Sequence, residues 1–252
     1  MRIDVPSEQH TGQLLRLWKS VFGEHNGFWE MFLETAFLPE HCRCVEMDGK
    51  IAAALYWFDC SLENSKLAYV YAVVTHPEHR GQGLCRRLME NTHESLFSLG
   101  YDGVVLVPEK ESLRQMYEKM GYETCSWVSE FSCGAGEEST VLRAIGEAEY
   151  GVLRRGFLPK GGVIQEKENL SFLAQQAEFY AGADFLLAAY REDTVLHGME
   201  LLGSREAAPG IVKALNCMRG SFRAPGTDTA FAMFRPLTVN CAKPAYFGFA
   251  FD

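Results

Sequence analysis

The stretch THPEHRGQGLCRRLME, Thr75–Glu90, sets Arg80, Gly81, Gln82 and Gly83 between an apolar run and a string of helix formers. Glycines at such a junction can serve two ends. They can close a tight turn, or they can admit positive φ and let peptide N–H groups approach an anion closely. A helix start carries unpaired N–H groups and a partial positive charge, so a cradle here would suit a phosphate. Spacing excludes two nucleotide patterns. No Gly-Lys-Ser/Thr follows, as a P-loop requires, and Arg86 stands where the dinucleotide fingerprint needs its third glycine. Further on, ESLRQMYEKMGY carries Tyr117 on a helical stripe with Leu113, Met116 and Met120. That periodicity suits a core position, while the phenol could equally donate a proton.

Elements on both sides must position these residues. Ile3–Val5 predicts a short strand, and Ser7 can cap a helix over Glu8–Phe22. A second helix is expected over Gly27–Phe37, stopping before Pro39. CRCVEMDGKIAAALYWFDC reads as a hairpin turning at Asp48-Gly49, and KLAYVYAVVTH as a central apolar strand. After the glycine turn, Leu84, Leu88, Leu96 and Leu99 mark the buried face of a helix ending at Gly100. A buried strand DGVVLVP, the Tyr117 helix and a strand YETCSWVSEFSC follow. GAGEEST, Gly134–Thr140, is the linker candidate. Beyond it the patterns predict helices over Glu147–Phe157, Glu168–Tyr180 and Pro209–Met218. Strands are expected at Val163–Gln165, DFLLAAYRED, TVLHGMELLG, Thr229–Arg235 and Tyr246–Phe251. The order strand, loop, helix, strand occurs at Ala68–Val107 and again at Thr194–Arg235, which suggests a degenerate second copy of one fold.

THPEHRGQGL resembles the signature of the GNAT superfamily of acetyl-CoA-dependent N-acetyltransferases, Arg/Gln-x-x-Gly-x-Gly/Ala behind a strand. LVPEKESLRQMYEKMGY resembles the family's next strand and the helix ending in Tyr-Glu-x-x-Gly-Phe/Tyr. The resemblance covers roughly residues 1–133. It implies an α/β (α+β) fold with a mixed, mostly antiparallel twisted sheet flanked by helices. Backbone groups of Val73, Val74 and Thr75 would pair with the pantetheine arm. N–H groups over Gly81, Gln82, Gly83, Leu84, Cys85 and Arg86 would hold the pyrophosphate of acetyl-CoA, with Arg80 opening the signature and Ser112 a further contact. Tyr117 would protonate the departing thiolate, and an N–H near Val74 would receive the oxyanion. Cys85 departs from the usual Gly or Ala, and Lys110 from a frequent Asn. The expected organisation is an acetyltransferase domain over 1–133, a linker over 134–146 and a degenerate acetyltransferase-like half over 147–252 covering the substrate side. That second half has Glu206 and Pro209 in place of an Arg-led cradle, so no coenzyme A is expected there.

The general base is unplaced: Glu30, His76, a water chain and the C-terminal Asp252 are the candidates. The 252 residues carry a net charge of −9. That disfavours a nucleic-acid partner and leans toward cationic acceptors. No apolar run reaches bilayer length and no secretory signal opens the chain, so no membrane partner and a cytoplasmic location are expected. The eight cysteines form no C-x-x-C pair, and HCRC lacks a second zinc-type cluster, so reduced thiols and no metal are expected. The activity implied is transfer of acetyl to a primary amine of a small molecule or protein terminus. The alternative is a non-catalytic acyl-CoA-binding module, and a homodimer is compatible with either.

Overall fold

A computed structural model describes residues 1–23 and 27–250. They divide into two compact units. The first comprises the described residues of Met1–Leu106, with Lys110–Tyr122 and Phe234–Ala242; the second comprises Val107–Glu109, Glu123–Met233 and the described residues from Lys243 onward. The division expected after residue 133 therefore falls earlier. Trp127–Gly134 is a strand of the second sheet, and Phe234–Ala242 returns to the first unit. Hydrogen bonds explain that return: Leu237 N and Thr238 N donate to Asp102 O at 2.8 and 3.1 Å.

In the first unit β1 (Arg2–Asp4), α1 (Thr11–Phe22) and α2 (Phe28–Thr35) lead into β2 (Cys42–Met47), β3 (Lys50–Leu62) and β4 (Ser65–Thr75). The glycine turn then opens α3 (Leu84–Ser98), followed by β5 (Gly103–Leu106) and α4 (Glu111–Glu118). Asp48 and Gly49 take φ of 50° and 77°, the left-handed pair that a two-residue hairpin demands. The sheet begins in the order β1-β2-β3-β4-β5 and goes on from β5 to the strand Met233–Pro236; the pairs from β1 to β5 are antiparallel except for β4 and β5, which are parallel and joined across α3. Burying Leu84, Leu88, Met89 and Leu96 against the strands holds that helix in place. Leu99, expected on this face, is 55% exposed, because the helix has ended at Ser98 and the chain is already turning.

Gly103 opens β5 where the Phe234 ring packs close against it. A Cβ there would lie 2.5 Å from Phe234 Cε2 and 3.2 Å from Cys241 Sγ. Gly103→Ala is therefore expected to cost about 1–3 kcal/mol of stability by overpacking, measurable as a lowered urea midpoint with an unchanged slope.

The second unit holds β6 (Glu123–Thr124), β7 (Trp127–Gly134), β8 (Arg143–Ile145), α5 (Glu147–Phe157), β9 (Ile164–Gln165) and α6 (Glu168–Leu173). It continues with β10 (Glu178–Ala181), β11 (Phe185–Glu192), β12 (Val195–Gly203), α7 (Ala208–Ala214), β13 (Arg219–Pro225) and β14 (Thr229–Ala230). The order β14-β7-β13-β12-β11-β10-β8 is antiparallel except for β12 and β13, which are parallel and joined across α7. The hairpin β11–β12 turns at Asp193 (φ 52°) and slips register at Ala188/Ala189; β3–β4 turns at Glu63 (φ 52°) and slips at Ala54/Tyr56. The two sheets thus repeat one sequence of hairpin, bulge, helix and parallel return.

Three expectations here need correction. The helix over Glu168–Tyr180 stops at Leu173, because Phe179 and Tyr180 are drawn into β10 between β8 and β11. The helix expected to reach Met218 stops at Ala214, and Asn216 turns the chain with φ 56°. Among the described residues Tyr246–Ala250 forms no strand beyond an isolated bridge from Tyr246 to Gly162.

The core of this unit includes a buried ion pair. Glu200 Oε2 accepts from Arg154 Nε at 2.8 Å and Tyr150 OH at 2.9 Å, while Glu200 Oε1 accepts from Arg154 Nη2 at 2.9 Å and Tyr246 OH at 3.0 Å. With Arg154 Nη1 donating to Val163 O at 3.0 Å, the charges are shared out among partners and the network is structural. All eight cysteines are free thiols. Among the described residues no helix is long and apolar enough to cross a membrane.

Candidate active site

The register of β4 explains why its end is chemically open. β5 pairs with Leu67–Val70 and stops at Leu106, while β4 runs on through Thr75. Ala72 sits at φ 51° in the register slip, and Trp18 Nε1 fastens its carbonyl at 3.1 Å. His76 N donates to Ala52 O at 2.8 Å, and Val74 pairs with Ala54. Antiparallel alternation then turns the backbone groups of Val74 toward β3, and those of Thr75 and Val73 toward the edge that β5 has left. Thr75 O receives Arg80 Nε at 3.2 Å. The oxyanion donor sought near Val74 is thus better placed at Val73 or Thr75, one residue to either side.

After a single 3-10 turn, Pro77–His79, the chain enters the glycine segment. Gly81 and Gly83 have φ of 74° and 75°, and a Cβ at either would meet nothing within 4 Å. Their identity is therefore set by backbone conformation and not by packing. Gly83 caps α3 without any side-chain hydrogen bond, and its carbonyl accepts from Arg87 N at 3.1 Å. The N–H groups of Leu84, Cys85 and Arg86 precede the first intrahelical bond and are left for an external acceptor. Arg80 and Arg86 are exposed beside them; Arg86 Nε contacts Glu90 at 2.9 Å, and Gln82 Nε2 reaches Glu78 O at 3.4 Å. Burial pushes the Cys85 thiol up to about 11, so it stays neutral and adds no negative charge where an anion would sit.

Tyr117 is 6% exposed, the one fully buried residue of α4, while Leu113, Met116 and Met120 are half-buried. Burial, and then the nearby Cys85, raise its hydroxyl well above the usual range, so the phenol holds its proton. Its ring meets Tyr122 edge-on at 5.7 Å. No described residue hydrogen-bonds its hydroxyl. Ser112 is exposed in the first turn of α4, behind Lys110 as the cap.

Behind Tyr117 lies a pair that sequence reasoning does not find. Tyr122 OH contacts His93 Nε2 at 2.7 Å, and Nδ1 of the same imidazole is buried without a partner. Burial, then Arg235, lower the His93 value to about 4, so the ring is neutral in the folded protein. The unfolded chain takes up that proton first, from an ordinary value near 6.5. Stability contributed by the neutral ring is complete above pH 6.5 and is lost as pH falls toward 4, at about 1 kcal/mol per pH unit. Denaturant titrations of wild type and His93→Gln at pH 7, 6 and 5 should show a shallower slope of stability against pH in the variant.

The general-base candidates fare unequally. Glu30 is held by Lys19 Nζ at 2.5 Å, and that contact lowers its value, which makes the carboxylate a weaker base. His76 accepts from Glu78 N at 3.4 Å through Nδ1 and shapes the turn. Asp252 lies outside the described residues. In the second unit α7 follows Ala207 in ordinary right-handed conformation, and Ser204 Oγ donates to Glu206 at 3.0 Å. Among the described residues no glycine stands directly before that helix.

Residues 2–125 match the family model of the acetyltransferase (GNAT) domain. No curated protein matches the sequence. Among solved structures, a GCN5-related N-acetyltransferase from Anabaena variabilis aligns with a TM-score of 0.76 at 16% identity, over 94% of this chain and 73% of its own. A GCN5-related N-acetyltransferase from Kribbella flavida aligns with a TM-score of 0.71 at 18% identity, over 93% of this chain and 70% of its own. A tandem GNAT protein from the clavulanic acid biosynthesis pathway aligns with a TM-score of 0.56 at 12% identity, over 95% of this chain and all (100%) of its own.

Proposed function

Residues 2–125 belong to the GNAT acetyltransferase family, and from that premise we propose that the protein transfers acetyl from acetyl-CoA directly to a primary amine. The observation that carries this reading is the unpaired end of β4 beside the glycine-capped start of α3. An edge without a neighbouring strand offers a pantetheine amide a partner, and the N–H groups of Leu84–Arg86 offer a diphosphate one. The amine nitrogen attacks the thioester carbon. Charge develops on the carbonyl oxygen, for which an N–H of Val73 or Thr75 is the preorganised donor. Carbon–sulfur cleavage then releases a thiolate that takes the Tyr117 proton. Water is the base for an amine that arrives cationic, since Glu30 is committed to Lys19.

We read the second unit as a degenerate repeat of the first, from its parallel β12–β13 pair joined across α7. Lacking a glycine-capped helix start, it is read as binding no coenzyme A. The acceptor class is a small amine, favoured over a protein terminus by nothing stronger than the acidic net charge of −9. Coenzyme A release followed with acetyl-CoA and a panel of mono-, di- and polyamines, amino acids and peptides tests the proposal. Turnover on at least one amine is expected; tight acetyl-CoA binding with no turnover on any would replace the enzyme by an acyl-CoA-binding module.

A further inference from the structure

The chain leaves the Tyr117 helix through a turn of defined geometry. Gly121, at φ 83°, donates its N–H to Glu118 O at 2.9 Å, and Tyr122 N donates to Tyr117 O at 3.1 Å. These two bonds make a Schellman motif, in which the second residue past the cap packs against the residue three places before it. Tyr122 and Tyr117 occupy those places, which is why their rings meet edge-on at 5.7 Å. Arg235 Nη1 donates to Met120 O and fastens the turn.

An apolar side chain at 122 would complete this motif, so the hydroxyl is surplus to it. Tyr122 is 2% exposed, and a hydroxyl buried so deeply needs a partner inside the protein. His93 supplies one, with Nε2 at 2.7 Å from it. That imidazole is itself 5% exposed, and among the described residues its Nδ1 has no hydrogen-bond partner. A phenylalanine facing a leucine would hold the helix end and strand no nitrogen. Packing alone therefore leaves the pair unexplained. What the pair adds is direction: a hydrogen bond fixes where the Tyr122 ring lies, while apolar contact leaves it freer to shift.

His93 also stands on a telling element. Cys85, Met89 and His93 recur every fourth residue along one side of α3, and Cys85 lies near Tyr117. The first residues of that helix hold the N–H groups assigned to the diphosphate. One rod thus carries both those amides and the anchor of Tyr122, roughly 13 Å apart along its axis.

We propose that His93 and Tyr122 are positioning residues for acetyl transfer: the imidazole anchors the Tyr122 hydroxyl, and the anchored ring holds the Tyr117 phenol in the orientation from which it protonates the departing thiolate. The proposal rests on the donor role read above for Tyr117. All three side chains belong to the first unit. Neither positioning residue touches substrate, so acetyl-CoA affinity does not depend on them.

Hydroxylamine serves as the acceptor in the test, being small, neutral at pH 8 and undemanding of an acceptor pocket. Tyr122→Phe keeps the edge contact and loses the anchor. It should lower kcat about tenfold, a modest share of what misplacing a reacting group can cost, with the acetyl-CoA KM within twofold. In a Tyr117→Phe background the same substitution should change kcat less than twofold, since no donor is left to position. Tyr122→Phe combined with His93→Leu strands no polar group, so it should melt no lower than Tyr122→Phe alone and lose as much kcat. Full kcat in either variant, or an equal loss from Tyr122→Phe in both backgrounds, overturns the proposal. Nuclear magnetic resonance of ring-labelled tyrosine decides the matter where hydroxylamine is not acetylated. With acetyl-CoA present the Tyr117 ring should flip faster in Tyr122→Phe than in wild type, and an unchanged flip rate overturns the proposal too. Full kcat in Tyr117→Phe alone overturns the donor role and this proposal with it; a loss there without one in Tyr122→Phe overturns the proposal alone.

Discussion

Tyr117→Phe is expected to lower kcat for acetyl transfer by about 100-fold, the low end for removing a positioned proton donor, with acetyl-CoA affinity changed less than twofold. The phenylalanine keeps the edge contact with Tyr122, so folding should survive. The raised value of the phenol is no obstacle to the role. Burial destabilises the Tyr117 oxyanion, but it also destabilises a thiolate expelled into the same surroundings, and the difference between them governs the transfer. The same burial predicts the pH profile. Because Tyr117 stays protonated through pH 10, the rate should rise as the acceptor amine loses its proton and then stay level, with no descending limb below pH 10. A thioester of an acidic aromatic thiol offers a sharper test. Its thiolate leaves without a proton, so the gap between wild type and Tyr117→Phe should shrink several-fold. An unchanged kcat with acetyl-CoA would return Tyr117 to the core stripe that its spacing alone suggests.

What the sequence makes legible, and what it hides, divides along the range of the interaction concerned. Asp48-Gly49 and the helix Glu147–Phe157 are local decisions, made by turn residues and short-range periodicity, and the structure has them as expected. The strand Arg219–Pro225 escapes notice because glycine, serine and proline disguise it. Its alternation rests on Gly220, Phe222 and Ala224, buried only once β12 and β7 flank them. The return of Phe234–Ala242 to the first unit is longer in range still. It depends on Asp102 carbonyl and on the bare face of Gly103, neither of which advertises a partner some hundred residues away in the chain.

The site shows the same gradient. Positive φ at Gly81 and Gly83 can be read from the residue types, since glycine is the residue that adopts it freely. The direction in which β4 presents its amides cannot. It follows from the register against β3 and from the slip at Ala72, so residue types alone point to Val74 where Val73 and Thr75 face the open edge. His93 and Tyr122 come from separate elements and meet only in the folded core, where the imidazole loses its charge to burial. No spacing rule joins them.

Gly83→Val should weaken acetyl-CoA binding by about 100-fold or more, and the reason is conformational. A valine Cβ at this position would meet no neighbour within 4 Å, so packing raises no objection. The objection comes from φ of 75°, where a β-branched residue costs about 1–3 kcal/mol. The chain has two responses. It can bear the strain, and the isopropyl group then projects into the open space from which a diphosphate would approach. Or it can relax toward negative φ, which swings the N–H groups of Leu84, Cys85 and Arg86 off their common aim. Both routes damage the cradle, and both also lower stability, so a control must separate the two losses. Gly100 supplies it, with φ of 80°, nothing within 4 Å of where a Cβ would stand, and a place at the far end of the same helix. Gly100→Val should lower the melting temperature to a similar degree while leaving acetyl-CoA affinity within twofold of wild type. If calorimetry found Gly83→Val binding as tightly as Gly100→Val, the glycines would be turn formers alone and the amides opening α3 would hold no phosphate.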